Sequence, residues 1–119
     1  MLTINVDNLE DLTVIECIGR IVRDESIFKL RDVVLAQKGA RNILLDLSEV
    51  QALGGAGVGM LAYLDHRARE RKISFKLYSP SRAVTQALLE TGTINIFEIV
   101  SFHKLQLMMS NDNHHSLAA

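Results

Sequence analysis

Apolar runs with strand periodicity alternate with segments of helical periodicity along almost the whole chain. Residues 2–7 and 12–18 alternate apolar and polar positions, which predicts two strands joined as an N-terminal hairpin. Residues 43–47 form a nearly continuous apolar run, typical of a strand inside a sheet, and residues 73–77 alternate again. Strands that alternate with helices favour crossover connections and therefore a mostly parallel sheet.

Between the predicted strands, apolar residues recur every three or four positions, as they do on one face of a helix. The first predicted helix has Asp24 as its N-cap and ends near Gly39. The second follows a glycine run and continues to about Lys72. The third has Ser79 as its N-cap and Pro80 at its first helical position, a strong signal for a helix start.

The C-terminal part contains a β-branched run over 94–100, an apolar segment from Phe102 that predicts a short last helix, and a polar stretch. That stretch, residues 111–119, is predicted to fray. We therefore predict one α/β domain over residues 1–110, with a mixed, mostly parallel sheet, an N-terminal hairpin and about four helices. A chain of 119 residues with 48% apolar residues is sufficient for one core.

Charge and cysteine content disfavour several functional classes. With 13 Lys and Arg against 14 Asp and Glu, the chain lacks the basic field that attracts nucleic acid. No apolar stretch approaches the roughly 20 residues of a membrane helix, and no signal-peptide pattern leads the sequence. The single cysteine, Cys17, lies in an apolar run and is predicted to be buried. We expect a cytoplasmic protein without membrane insertion.

No set of residues in the sequence predicts an active site or a metal centre. Among the four histidines, only His114 and His115 are adjacent, and they lie in the polar tail. Adjacent histidines rarely converge on one tetrahedral metal ion, and no cluster of cysteines or carboxylates completes a ligand set. His66 is predicted on the charged side of the second helix. We expect a protein that is not an enzyme and that uses no cofactor.

The run Gly54-Gly55-Ala56-Gly57-Val58-Gly59 lies between a predicted strand and the second predicted helix. Such a turn can present N–H groups to a phosphate, but no Gly-Lys-Ser/Thr follows as in a phosphate-binding loop. Residues 73–79 also lack the acid that a dinucleotide site requires. Glycine allows close approach of backbone segments. We interpret the run as a low, tight turn that the surface of another protein can approach.

The segment 46–61, which contains this glycine run, resembles the STAS domain family of bacterial anti-sigma factor antagonists and their relatives. The order of elements extends the resemblance over residues 2–110. The resemblance implies a module that binds an anti-sigma factor, typically a serine kinase of the histidine-kinase-like ATPase fold, and thereby frees the sigma factor for transcription. Three further positions agree with the family: Gly19 after the second strand, Ser79-Pro80 before the third helix, and Glu90-Thr91-Gly92 before the last strand.

The chain departs from the family pattern at its regulatory loop. In the family, the kinase phosphorylates a serine in an Asp-Ser-Ser-Gly loop, and the added charge breaks the complex. Alignment of Gly57 with the glycine of that motif places Gly54 on its acid and Ala56, which has no hydroxyl, on the phosphoacceptor. The acid that often follows Gly19 is also missing, because Arg20 stands there. The resemblance therefore implies docking without the usual serine switch.

The resemblance assigns partner binding to the loop at the start of the second helix and to residues after Gly19. The expected partner-binding residues are Leu53, Gly54, Gly55, Ala56, Gly57, Val58, Arg20 and Val22. The expected partner is an anti-sigma factor or serine kinase-like ATPase, or another STAS protein, and a homodimer stays open. Ser26 and Ser48 are alternative phosphoacceptors. Alternative functions are a STAS-like scaffold subunit and a nucleotide or lipid sensor, since Arg20 near a helix N-terminus would favour an anion.

Overall fold

A computed structural model describes residues 1–107, which form five strands and four helices. The strands are β1 (Leu2–Leu9), β2 (Leu12–Ile21), β3 (Asn42–Leu53), β4 (Ser74–Tyr78) and β5 (Glu98–Val100). The helices are α1 (Glu25–Leu35), α2 (Gly55–Glu70), α3 (Arg82–Glu90) and α4 (102–107), and a 3-10 turn, Ile94–Ile96, precedes β5. The predicted single α/β domain with about four helices is confirmed.

The five strands form one sheet in the order β1-β2-β3-β4-β5. β1 and β2 are antiparallel, with Leu9 opposite Leu12 at the hairpin turn. The three other neighbouring pairs are parallel. This confirms the predicted mixed, mostly parallel sheet with an N-terminal hairpin. Because strand order follows chain order, right-handed crossovers place α1, α2 and α3 on one face, where α2 contacts both of its neighbours.

The core lies between this helix layer and the sheet. Alternation along β3 and β4 directs Ile43, Leu45, Phe75 and Leu77 toward the helices, and all four are buried. The helices contribute buried apolar residues at three- and four-residue spacing: Ile27, Leu30, Val34, Val58, Leu61, Leu64, Val84 and Leu88. Cys17 is fully buried as predicted, and burial raises the pKa of its thiol to about 12. A thiol with so high a pKa is a poor nucleophile.

The N-terminus of α1 agrees with the sequence prediction, whereas its C-terminus does not. Asp24 is the N-cap, and its carboxylate accepts a hydrogen bond from the backbone N–H of Ser26 at 2.7 Å. The predicted end near Gly39 is wrong, since the helix ends at Leu35. The side-chain amide of Gln37 donates to the carbonyl of Val33 at 3.0 Å and thus satisfies one of the unpaired carbonyls at the helix end.

The predicted start of α3 is displaced by two residues. Ser81 is the N-cap, because its Oγ accepts a hydrogen bond from the N–H of Val84 at 3.2 Å. Ser79 is wrong as the N-cap: its φ is 47°, and its N–H donates to the carbonyl of Val100 at 2.8 Å. Pairing of β4 with β5 thus holds Ser79 at the end of the sheet.

The last strand is shorter than the sequence pattern predicts. Of the run 94–100, only Glu98–Val100 is a strand, and the 3-10 turn covers the beginning of the run. The predicted tail, residues 111–119, lies outside the described residues, as do His114 and His115. Within residues 1–107, no helix combines the length and the apolarity needed to cross a bilayer.

Asp65 is a carboxylate buried on α2, with 6% of its side chain exposed. Its Oδ2 lies 3.0 Å from Nε of Arg69, and Nη2 of Arg69 donates to the carbonyl of Ile96 at 3.0 Å. This chain of contacts connects the C-terminal half of α2 to the 3-10 turn. Burial raises the pKa of Asp65 above its ordinary value of 3.8, because the loss of hydration outweighs the attraction to Arg69.

A raised carboxyl pKa means that the native state binds this proton more tightly than the unfolded chain does. The contribution of Asp65 to the free energy of unfolding is therefore largest below pH 3.8 and declines as pH rises through its raised pKa. We expect Asp65→Asn to remove that decline, so that urea-unfolding profiles of variant and wild type diverge above pH 3.8. Glu70→Gln, which removes an exposed carboxylate from the same helix, is the control. Parallel profiles for Asp65→Asn and wild type would contradict this assignment.

Candidate functional site

The candidate site forms where the parallel strands β2 and β3 end at the same edge of the sheet. Ile21 and Leu53 are paired at these ends. The N–H of Gly54 donates to the carbonyl of Ile21 at 3.0 Å, which continues the pairing by one residue. Val22 lies directly beside Gly54. The loop after β2 and the first turn of α2 therefore lie side by side.

Gly57 allows the first turn of α2 to contact the end of β2. A Cβ atom at this position would lie 2.7 Å from the carbonyl oxygen of Ile21 and 2.7 Å from Cδ1 of Leu53. No side chain fits between the two segments, so glycine is required there. Gly57 and Val58 are both buried, and Val58 belongs to the core. These two predicted binding residues thus form the base of the loop and not its surface.

The other predicted residues form the surface of the same region. Arg20, Gly55 and Ala56 are exposed, while Val22, Leu53 and Gly54 are half-buried. Arg20 lies opposite Ala52 in the neighbouring strand, so its backbone is held next to the residues that lead into α2. The structure thus brings all eight predicted residues to one end of the sheet.

The first turn of α2 has no side-chain cap, because its N-cap is Gly54. The N–H groups of a first helical turn have no acceptor within the helix, and the helix dipole makes this end partly positive. Arg20 and Arg23 are exposed nearby, and neither forms an ion pair with any residue in 1–107. The carboxylate of Asp24 caps α1, and its hydrogen bonds with Ser26 lower its pKa.

The serines near the site differ in accessibility. Ser26 is 2% exposed, and its hydroxyl donates to the carbonyl of Val22 at 3.1 Å. A kinase cannot reach this hydroxyl without opening the turn. Ser48 is exposed in β3, and its hydroxyl donates to Asp46 at 2.7 Å. Ala56, in the first turn of α2, has no hydroxyl at all.

A groove of about 350 Å³ lies between α1 and α2 and reaches the first turn of α2. The guanidinium of Arg31 lies 5.1 Å from the ring centroid of Phe28, and 55% of Phe28 is exposed. Phe28 is not among the predicted binding residues. Its position outside the buried apolar stripe of α1 is the signal that could have identified it. The lining residues are Arg23, Asp24, Ile27, Phe28 and Ala56.

A larger cavity, of about 630 Å³, lies away from this region, between the β1–β2 turn and α4. None of the predicted site residues lines it. Leu44 and Lys76 lie opposite each other on neighbouring strands in its wall, and Leu105 contributes from α4. The cavity and the candidate site are therefore separate features of the fold.

Comparison with known proteins identifies the fold. The STAS domain model matches residues 3–106, whereas no curated protein matches the chain. An anti-sigma factor antagonist from Mycobacterium paratuberculosis is 21% identical, with a TM-score of 0.73 over 83% of this chain and 85% of that one. Unphosphorylated SpoIIAA is 12% identical, with a TM-score of 0.72 over 92% of this chain and 97% of that one. A variant of Moorella thermoacetica RsbS is 16% identical, with a TM-score of 0.72 over 93% of this chain and 97% of that one. Since the family match spans nearly all the described residues and these structures share the fold, the chain belongs to the STAS domain family.

Proposed function

We propose that this chain is a protein-binding regulatory module of the anti-sigma factor antagonist type. It docks on an anti-sigma factor or a serine kinase-like ATPase through the first turn of α2 and the adjoining loop after β2, and so regulates transcription in a bacterial cytoplasm. The observation that supports this proposal is the turn at Gly55 and Ala56, which is exposed and has no side-chain cap. Gly57 allows this turn to pack directly against Ile21. A flat turn without protruding side chains allows a partner to approach its backbone closely.

The proposed docking lacks the serine switch of the family. SpoIIAA has been solved in unphosphorylated and phosphorylated forms, so that relative carries the modification. The exposed Ala56 offers no oxygen for phosphoryl transfer, and the nearby hydroxyl of Ser26 is buried. A module of this kind binds its partner without being released by phosphorylation of this turn, as a constitutive antagonist does.

We expect Ala56→Asp to lower the affinity for the partner about 10-fold or more, because it places a charge and a longer side chain in the contact. The fold should be retained, since a carboxylate in the first turn of a helix is favourable. Wild type and variant are compared by affinity capture from native lysate, followed by calorimetry with the recovered anti-sigma factor. Ala56→Ser is the matched control, because it adds one uncharged oxygen and should bind as wild type does.

The capture distinguishes the proposed docking from the alternatives. Recovery of a kinase-like anti-sigma factor by wild type and Ala56→Ser, but not by Ala56→Asp, supports docking through this turn. Equal recovery by all three proteins contradicts it. Recovery of other STAS proteins by all three would identify a scaffold subunit that uses another face.

A further inference from the structure

We propose that the free edge of β1 pairs with β1 of a second copy of this chain, which gives an antiparallel dimer with one continuous sheet. β1 is the first strand of the sheet, so one of its sides has no neighbouring strand among residues 1–107. It is eight residues long, whereas the strand at the other edge, β5, has three. An unpaired strand of this length is a template for pairing with another chain.

The register of β1 with β2 determines which backbone groups of β1 point to the free side. Leu2 is paired with Gly19, so Met1 stands opposite Arg20, and the N–H of Arg20 donates to the carbonyl of Met1 at 3.1 Å. Hydrogen-bonded and non-hydrogen-bonded pairs alternate along an antiparallel ladder, so the odd-numbered residues of β1 bond to β2. The outward backbone groups belong to the even-numbered residues: Leu2, Ile4, Val6 and Asn8.

One end of this edge is already closed by α1. Nζ of Lys29 donates to the carbonyl of Leu2 at 2.7 Å and thus satisfies the first outward residue. The backbone groups of Ile4, Val6 and Asn8 have no hydrogen-bond partner on the free side within the described part of the chain. β1 contains neither proline nor lysine, which protect many natural edge strands. The free part of the edge is therefore centred on Val6.

A second copy fits this edge when the two Val6 residues lie opposite each other. Ile4 of each copy then lies opposite Asn8 of the other, and about six backbone hydrogen bonds form. The next register toward the N-terminus would pair Asn8 with Leu2, whose carbonyl is already occupied. The next register toward the C-terminus would set two Asp7 carboxylates opposite each other, and like charges in that position are destabilising. The sequence of β1 thus selects the register centred on Val6.

The side chains of the two copies complement each other in this register. Ile4 packs against the core, so Val6, which is 37% exposed, meets its equivalent on the helix side of the sheet. On the other side, Asn5 of each copy lies opposite Asp7 of the other. Nδ2 of Asn5 already donates to Glu16 at 3.0 Å, and the amide has a second N–H for that carboxylate. Each amide therefore binds two carboxylates, one from each copy, and both contacts favour a second copy as the occupant.

Pairing through β1 leaves the proposed docking turn uncovered. This turn follows β3, which β2 separates from β1. Because the two copies are antiparallel, their docking turns lie at opposite ends of the joined sheet. If the proposed function holds, one dimer can therefore bind two partner molecules at once, and both contacts contribute to its retention where partners are clustered.

Self-association is tested with the protein alone, by sedimentation equilibrium of the full chain. We expect a monomer–dimer equilibrium with a Kd of roughly 10–100 µM. Val6→Lys sets two ammonium groups opposite each other and should weaken dimerisation about 10-fold or more. Ile18→Lys is the matched control, since Ile18 is also 37% exposed but lies in β2, and this variant should dimerise as the wild type does. A wild type that stays monomeric up to about 1 mM, or equal dimerisation of the two variants, would overturn the inference.

The register is tested by disulfide formation between the two copies. Residues opposite each other in a hydrogen-bonded antiparallel pair have Cα atoms about 5.5 Å apart, within the range of a disulfide. Val6→Cys should therefore form a covalent dimer under mild oxidation. Asn8→Cys should not, because position 8 lies about 13 Å from its equivalent in this register. The native Cys17 is fully buried and does not compete. Equal crosslinking at both positions, or crosslinking at position 8 alone, would refute the proposed pairing.

Two variants separate the dimer from the proposed docking. Ala56→Asp should dimerise as the wild type does, because Ala56 lies beyond β3 and away from the free edge. Val6→Lys should still capture the anti-sigma factor, although as a monomer. Loss of dimerisation in Ala56→Asp would show that the interface includes the docking turn and would refute pairing through β1 alone. A dimer that Val6→Lys dissociates, combined with no recovery of an anti-sigma factor by any variant, would retain this inference and refute the proposed function.

Discussion

Replacement of Gly57 by alanine is expected to lower the free energy of unfolding by about 2 kcal/mol. The added Cβ would lie 2.7 Å from the carbonyl oxygen of Ile21 and 2.7 Å from Cδ1 of Leu53. The leucine methyl group can rotate away, but the Ile21 carbonyl belongs to the backbone of β2 and accepts a hydrogen bond from Gly54. The first turn of α2 must therefore move away from the sheet, which also displaces the proposed docking turn.

Gly59→Ala is the control for this prediction, because it makes the same change two residues further along the same helix, on the opposite face. A Cβ atom at Gly59 meets nothing within 4 Å, and the position is exposed. Alanine there should raise the free energy of unfolding by about 0.5–1 kcal/mol, through its higher helix propensity. Urea unfolding followed by circular dichroism measures both variants. Stabilisation of the protein by both substitutions would show that the contact of Gly57 with Ile21 costs little.

We expect Gly19→Ala to lower the free energy of unfolding by about 3 kcal/mol, the largest loss among the proposed substitutions. Gly19 has a φ of 121°, a backbone conformation that side chains of L-residues rarely adopt. Its Cβ would also overlap the carbonyl oxygen of Met1, which accepts a hydrogen bond from the N–H of Arg20 at 3.1 Å. The substitution therefore strains β2 and weakens its pairing with the first residues of the chain.

Gly39→Ala tests whether the effect at Gly19 is specific. Gly39 lies in the connection between α1 and β3, has no positive φ, and has nothing within 4 Å of a Cβ position. Alanine there should leave the free energy of unfolding within about 0.5 kcal/mol of the wild type. The comparison uses urea unfolding under identical conditions. Similar values for the two variants would contradict the strain assigned to Gly19.

Most elements of the fold could be predicted from local periodicity. The alternation in 12–18 and the apolar run in 43–47 reflect burial of one or both faces of a strand, and burial leaves its period in the sequence. The start of α3 could not be predicted in this way, because Ser79 and Ser81 are both good N-caps. Hydrogen bonding of Ser79 to Val100, far along the chain, decides between them.

For the candidate site, too, the sequence predicts some properties and the tertiary structure decides others. Side-chain chemistry is local, so the missing hydroxyl at Ala56 and the positive charge at Arg20 follow directly from the residue types. Whether a residue supports the surface or forms it depends on which distant segments meet. Pairing of β2 with β3 puts Ile21 under Gly57, and packing of α1 beside α2 leaves Phe28 exposed next to Ala56. These contacts join residues far apart in the chain, and therefore only the tertiary structure decided them.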